Sequence, residues 1–253
     1  MPQVKGEGLI LRTSNLGEWD RLVVVLAAGM GKLRAVAKGA RKVQSRYASV
    51  TQPLTHLRFT AYVGRSLPTF SQAEPLEGFR SLREDLDSLA YALYMLELVD
   101  SSLVDAEPHD DVLSLAIACL HILSHTEHRE LLLAFFELRL LARLGFGLEL
   151  SACPHCAGPA GEYLVPDIPG FPCRKCSQGE MRGKQVKVST AAHNLLCKLR
   201  DRDWRAVEGL CAPVAGEREV AAVLDSVVMA KLEKRPASHA FLCAIRTAGK
   251  RGD

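Results

Sequence analysis

The hydrophobic period of this chain changes near Pro75, and that change commits it to two kinds of element. Before Pro75, five short runs are rich in Val, Ile, Leu, Thr and aromatic residues: Gly8 to Thr13, Arg21 to Leu26, Leu33 to Ala37, Leu54 to Val63 and Ser66 to Gln72. Ala28-Gly29-Met30-Gly31 and Gly64-Arg65 punctuate them as turns. Five short strands in about 75 residues, with the longest connection between the third and fourth, predict a small closed barrel of the OB type rather than a sandwich. The connection, Ala40 to Gln52, has room for a single helical turn.

After Pro75 the period becomes helical. Leu82, Leu86, Leu89, Leu93 and Leu96 recur at three- and four-residue spacing behind the capping-box pattern Ser81-Leu82-Arg83-Glu84. Asp110 or Asp111 is placed to cap a second helix to about Leu123, and a third runs from Glu127 to Leu144, where Gly145 ends it. Gly, Pro and Cys then interrupt the pattern from Phe146 to Gly183. It returns at Thr190 to Arg200, Glu217 to Leu232 and Ser238 to Arg246. These later helices are expected to close the bundle, because three helices so apolar would otherwise expose a stripe to water. The fold class expected is α+β multidomain: an OB-fold β-barrel over 1–78, then an α-helical bundle in two parts, 79–149 and 185–253. A four-cysteine, zinc-ribbon-like insertion over 150–184 interrupts the bundle.

The net charge of +3 conceals a strong asymmetry. Residues 1–80 hold twelve Lys and Arg against five Asp and Glu, residues 81–150 four against thirteen, and residues 151–253 sixteen against eleven. A basic barrel followed by an acidic helical region points to an anionic partner for the former and a different task for the latter. With 48% hydrophobic and 24% charged residues, a disordered or fibrous chain is excluded. No apolar run approaches the roughly 20 residues of a membrane span, and no secretory signal is visible at the N-terminus, so a cytoplasmic protein is expected.

Cys153-Pro154-His155-Cys156 is followed, after 16 intervening residues, by Cys173-Arg174-Lys175-Cys176. This spacing lets four thiolates converge tetrahedrally on one ion and leaves no open position, so Cys153, Cys156, Cys173 and Cys176 are expected to hold a structural Zn2+. A knuckle that packs without metal is the alternative. Cys119, Cys197, Cys211 and Cys243 sit among Leu, Ala and Val and read as buried thiols.

Catalytic patterns are weak. His128-Arg129-Glu130 with Pro172 and the second cysteine pair satisfies the letter of a zinc-deaminase signature, but an all-helical setting and an idle first pair argue against that reading. Gly29-Met30-Gly31-Lys32 lacks the spacing and hydroxyl of a phosphate-binding loop. No nucleophile, base and orienter fall into one constellation, so a non-enzymatic role is expected.

Lys32, Arg34, Lys38, Arg41, Lys42 and Arg46 are six cations in fifteen residues with no acidic residue among them. On an OB-type barrel such a stripe tracks a phosphate backbone, a merely solvated face being the alternative; Trp19 and Tyr47 are candidates for stacking on bases, whereas Phe59 and Tyr62 are expected to fill the barrel. Contact with roughly five phosphates would weaken binding a few hundredfold on a fourfold rise in salt.

The chain resembles the bacterial RecO family of DNA-repair proteins. The resemblance is carried by Gly17-Glu18-Trp19-Asp20-Arg21-Leu22, by Gly31 through Lys42, by Ser45-Arg46 and by Gln52-Pro53-Leu54. It implies a recombination mediator in the RecF pathway that binds single- and double-stranded DNA and anneals complementary strands without ATP. Together with RecR such a protein helps load RecA onto DNA coated by single-strand-binding protein. It also implies a nucleoid-associated location, DNA contacts at the six cations, and a docking role for the acidic bundle, where Arg129, Arg139 and Arg143 are candidates either for a partner's tail or for pairs along their own helix. An RNA- or ribosome-associated zinc-ribbon OB protein would present the same site chemistry and stays open.

Overall fold

The computed structural model describes residues 2–64, 66–168, 170–177, 185–209, 214–232 and 235–248. Cys211, Arg65 and the end of the tail beyond Ala248 fall outside them. The chain divides into two compact units, Met1–Thr126 with Pro236–Asp253, and Glu127–Arg235.

In the first unit, β1 (Gln3–Leu16), β2 (Asp20–Ala27), β3 (Gly31–Ala37), β4 (His56–Tyr62) and β5 (Thr69–Glu77) close into a barrel in the order β1-β2-β3-β5-β4. All neighbours are antiparallel except β3 and β5, which pair in parallel at Val36 and Thr69. This is the five-stranded OB arrangement expected from the short apolar runs. Period-2 alternation sends Val23, Val25 and Ala27, Ala35 and Ala37, and Leu57, Phe59 and Ala61 inward to the barrel core with Ile10, Tyr47 and Phe70. Tyr62 therefore faces out at 42% exposure, contrary to its expected place in the core.

The register of β1 on β2 shifts between Ile10 and Arg12. This bulge lets Leu9, Ile10 and Leu11 all be buried in succession, which strict alternation forbids. On β2, Val24 and Leu26 are buried beside the inward set, and helices pack against both strands from outside the barrel.

The helices of this unit are α1 (Arg80–Glu84), α2 (Leu86–Ser102), α3 (Asp110–Leu123) and, from much later in the chain, α9 (Ala237–Ala248); α2 and α3 are the ones that meet the strands. The long helix starts at Asp85, whose carboxylate accepts from the Ser88 N–H at 3.0 Å, and not at the Ser81 box. Asp85 is extended (φ −107°, ψ 115°) and so separates α1 from α2. Helix α9 packs on α2, where the Glu97 carboxylate accepts from the Ala237 and Ser238 N–H groups at 2.9 and 2.7 Å.

In the second unit, α4 (Arg129–Arg143) and α6 (Thr190–Asp201) pack with α8 (Val214–Lys231), and α7 (Trp204–Glu208) is a short addition that the hydrophobic pattern does not reveal. Gly145 (φ +81°) ends α4, and the Phe146 N–H bonds back to the Leu141 carbonyl at 2.8 Å, a glycine-dependent helix stop. Arg139 donates to the carbonyls of Arg200 and Arg202 at the end of α6 and lies over the Phe135 ring, so its guanidinium is occupied within the unit. Between α4 and α6 lie the cysteine knuckles, the two-residue strands β6 (Tyr163–Leu164) and β7 (Val186–Lys187), and the single turn α5 (Arg174–Ser177). Among the described residues no helix is long and apolar enough to cross a membrane.

Candidate nucleic-acid interface and metal centre

The six cations separate into two groups. Lys32 is on β3 but only 7% exposed, with Nζ 2.6 Å from the Asp100 carbonyl and 3.4 Å from carboxylate oxygens of both Asp100 and Asp105. Arg34, two residues on and so on the same face, pairs with Asp105 at 3.0 Å, and Arg12 pairs with Asp100 at 2.6 Å. The stripe expected to face a phosphate backbone on β3 is thus already neutralised by α2 and the α2–α3 connection. That connection runs against β3: the Ala106 N–H bonds to the Lys32 carbonyl, and Gly31 (φ +73°) passes so close to the Glu107 backbone that no side chain fits there. The acidic residues responsible lie some seventy residues downstream, beyond the reach of local sequence reasoning.

Lys38, Arg41, Lys42 and Arg46 lie on the β3–β4 connection and are exposed. Among the described residues none of them is paired with a carboxylate. The connection folds as successive turns rather than the expected helical turn, with a single i to i−4 bond from the Thr51 N–H to the Tyr47 carbonyl. Its conformation is set from outside, by hydrogen bonds to β2 and to the β1–β2 turn. Arg21 donates to the Ala48 carbonyl and the Thr51 hydroxyl, and Asp20 accepts from the Gly39 N–H at 2.7 Å, where Gly39 takes φ +64°.

The two aromatic candidates part company. Trp19 is 48% exposed on the β1–β2 turn. Tyr47 is 6% exposed in the barrel core, its hydroxyl donating to the Ser71 carbonyl at 2.8 Å, so its ring faces are not presented for stacking. The Arg46 guanidinium lies over that ring at 5.0 Å and donates from Nη2 to the Ser71 carbonyl, while the residue stays exposed and without a carboxylate partner among the described residues.

In the second unit the four sulfurs of Cys153, Cys156, Cys173 and Cys176 all lie within 4.8 Å of one another. Two tight loops bring them there. The Ala157 N–H bonds to the Cys153 carbonyl in the first, the Ser177 N–H to the Cys173 carbonyl in the second, and Gly161 permits close approach of the chain to Pro172. The Sγ atoms of Cys156 and Cys173 are 3.7 Å apart. A tetrahedron with metal–sulfur bonds of about 2.3 Å has edges of about 3.8 Å, so the cluster fits a four-coordinate ion.

The protonation pattern agrees with a site built for a cation. The Cys173 N–H, donating to the Cys153 sulfur at 3.3 Å, draws the Cys153 thiol down to about 6. Cys176, which shares hydrogen bonds with the sulfurs of Cys173 and then Cys156, is pushed up to about 12. Four thiolates this close repel one another, and a divalent cation relieves that repulsion. Among the described residues neither His128 nor His155 joins the cluster, and the deaminase arrangement of one histidine with two cysteines is not assembled. Of the other described cysteines Cys119 is buried and Cys197 and Cys243 are half-buried.

Comparison with known proteins follows the two-part plan. The model of the Recombination protein O N-terminal domain matches residues 1–79, and that of the Recombination protein O C-terminal domain matches residues 83–240. The chain belongs to the RecO family. It is 36% identical to the DNA repair protein RecO of Symbiobacterium thermophilum over 251 residues, 96% of this chain and 97% of that protein. It is 34% identical to the RecO of Desulforudis audaxviator, again over 96% and 97%, and 35% identical to that of Heliobacterium modesticaldum over 90% and 85%. Membership accounts for both the barrel and the helical region, since the two family matches meet within a few residues of the β5–α1 junction.

Proposed function

We propose that this RecO-family chain is a non-enzymatic mediator of DNA repair and recombination. It binds single- and double-stranded DNA, anneals complementary strands without ATP, and works with RecR to load RecA onto DNA coated by single-strand-binding protein. Its place is then the cytoplasm, at the nucleoid. The observation that carries this reading is the group of four exposed cations, Lys38, Arg41, Lys42 and Arg46, which the protein's own carboxylates leave unpaired among the described residues, while Lys32 and Arg34 are neutralised. Four cations close together on one connection and kept free of carboxylates suit phosphates. Annealing then needs only that two strands be neutralised and held together, with no bond made or broken.

The four cysteines suit a structural Zn2+. They would stiffen two loops that have little apolar core of their own, and four sulfur ligands leave no position for a substrate.

The test is the annealing rate of two complementary labelled oligonucleotides without nucleotide, for wild type and for Lys38→Glu/Lys42→Glu. Neither side chain makes a hydrogen bond to a described residue, so the double variant is expected to fold. Acceleration by wild type that the variant loses supports the reading. No acceleration by wild type at low salt overturns it.

A further inference from the structure

Trp19 sits half exposed on a turn that is not loose. Three hydrogen bonds from Arg41 fasten it to the β3–β4 connection: the backbone N–H to the Trp19 carbonyl at 2.9 Å, and Nη1 to the carbonyls of Gly17 at 3.1 Å and Glu18 at 2.9 Å. A fourth, from the Gly39 N–H to the Asp20 carboxylate at 2.7 Å, closes the other side of the same junction. The turn that carries the indole is thereby fastened beside the loop that carries the exposed cations Lys38 and Lys42.

An exposed aromatic on a fastened turn next to exposed cations offers a stacking face together with phosphate attraction. Inside a duplex both faces of every base are covered by neighbours, so such a face is of use only to a base outside the stack. We infer that Trp19, Lys38 and Lys42 form a receptor for an unpaired nucleotide, and that Arg41 is its positioning residue, with Nη1 committed to the turn's carbonyls while its charge stays unpaired by any carboxylate among the described residues. The inference rests on the nucleic-acid reading above and adds what that reading leaves open, a selection of single strands over duplex. Arg41 also joins two segments that each carry part of the RecO-like motif, Gly17 to Leu22 and Gly31 to Lys42.

Trp19 also supplies its own probe, because the second tryptophan, Trp204, is 7% exposed in the other unit. The experiment titrates the full-length protein with an oligothymidylate and, separately, with a relaxed circular duplex, which has no terminal base. Tryptophan fluorescence and affinity are followed for wild type, Trp19→Phe, Trp19→Ala and Arg41→Lys, and binding to the circular duplex doubles as evidence that each variant is folded. The single strand is expected to quench wild type and leave Trp19→Phe unquenched, and the circle is expected to quench neither. Trp19→Ala is expected to weaken single-strand binding about 5- to 150-fold, the range for losing one stacked base, with duplex binding unchanged. Trp19→Phe is expected to keep most of the affinity. Arg41→Lys keeps the charge and therefore the salt dependence, but is expected to lose the quenching and the preference for single strands.

Salt-dependent binding of both nucleic acids without quenching, and with Trp19→Ala equal to wild type, would overturn this inference and leave the proposed function standing. Full quenching in Arg41→Lys would remove Arg41 as the positioning residue. Failure of wild type to bind either nucleic acid would overturn the proposed function itself.

Discussion

The division of the six cations makes the salt dependence of binding a sharp test of which of them meet phosphate. Each neutralised phosphate contributes about −0.7 to the slope of log K against log salt for a single strand and about −0.9 for duplex. Four available charges, Lys38, Arg41, Lys42 and Arg46, therefore give slopes of about −2.8 and about −3.6. Raising salt fourfold should weaken single-strand binding about 50-fold. If Lys32 and Arg34 also engaged DNA, as their place on β3 first implied, the slope would be about −4.2 and the loss about 300-fold. The perturbation that separates the cases is Lys42→Gln, expected to lower the slope by about 0.7, against Arg34→Gln, expected to leave it unchanged. Anisotropy of a labelled oligothymidylate across salt concentrations measures both. A single-strand slope of about −4 or steeper, or an Arg34→Gln slope shallower than wild type, would refute the reasoning that Asp100 and Asp105 have taken those charges out of play.

Other consequences are open to measurement. Lys32→Met should destabilise the first unit by about 1–3 kcal/mol in urea unfolding, because it leaves the Asp100 carboxylate, 13% exposed, with a partner fewer and its carbonyl without the ammonium. Gly31→Ala should cost a similar amount or more, since it combines φ +73° with collision against the Glu107 backbone. Burial pushes the Glu97 carboxyl up, but hydrogen bonds from the Ser238 hydroxyl and from the Ser238 and Ala237 N–H groups outweigh it and hold the group below the ordinary carboxylate range. A depressed folded value contributes stability above the unfolded one, near 4.5, that is lost as pH falls through the folded value. Glu97→Gln should thus lower stability by about 1 kcal/mol at neutral pH, a screened helix-cap magnitude, with wild type and variant converging in acid. Metal analysis of purified protein should find one zinc per chain, and Cys156→Ser or a strong chelator should release it and increase protease sensitivity within residues 150–177.

The elements are legible where one local rule decides them. The Val- and Leu-rich run from Arg21 to Leu26 announces β2, Gly145 announces the end of α4, and the cysteine spacing announces a cluster whose sulfurs do meet. What escapes local reading depends on partners far along the chain. Lys32 looks like a surface cation until Asp100 and Asp105 arrive, and Tyr47 looks like a loop aromatic until the barrel closes over it. Asp85 outcompetes the Ser81 box because an extended residue there separates α1 from α2. The five residues of α7, capped by Asp203, are too few to show a period. Arg41 reads as a phosphate contact and nothing more, because its charge is visible in sequence and its bonds to the carbonyls of Gly17 and Glu18 are not.

The return of α9 to α2 bears on how the protein is made. Glu97 waits for the N–H groups of Ala237 and Ser238, 140 and 141 positions later, so the first unit is not complete when its barrel leaves the ribosome. Residues 127–235 must be synthesised before the last helix is available to cover α2. At a bacterial elongation rate of roughly 5–20 residues per second, the nascent first unit spends about 7–28 seconds with an apolar helix face uncovered. A chain cut short before Pro236 should accordingly be recovered in aggregates or bound to chaperones, even though every residue of its barrel is present.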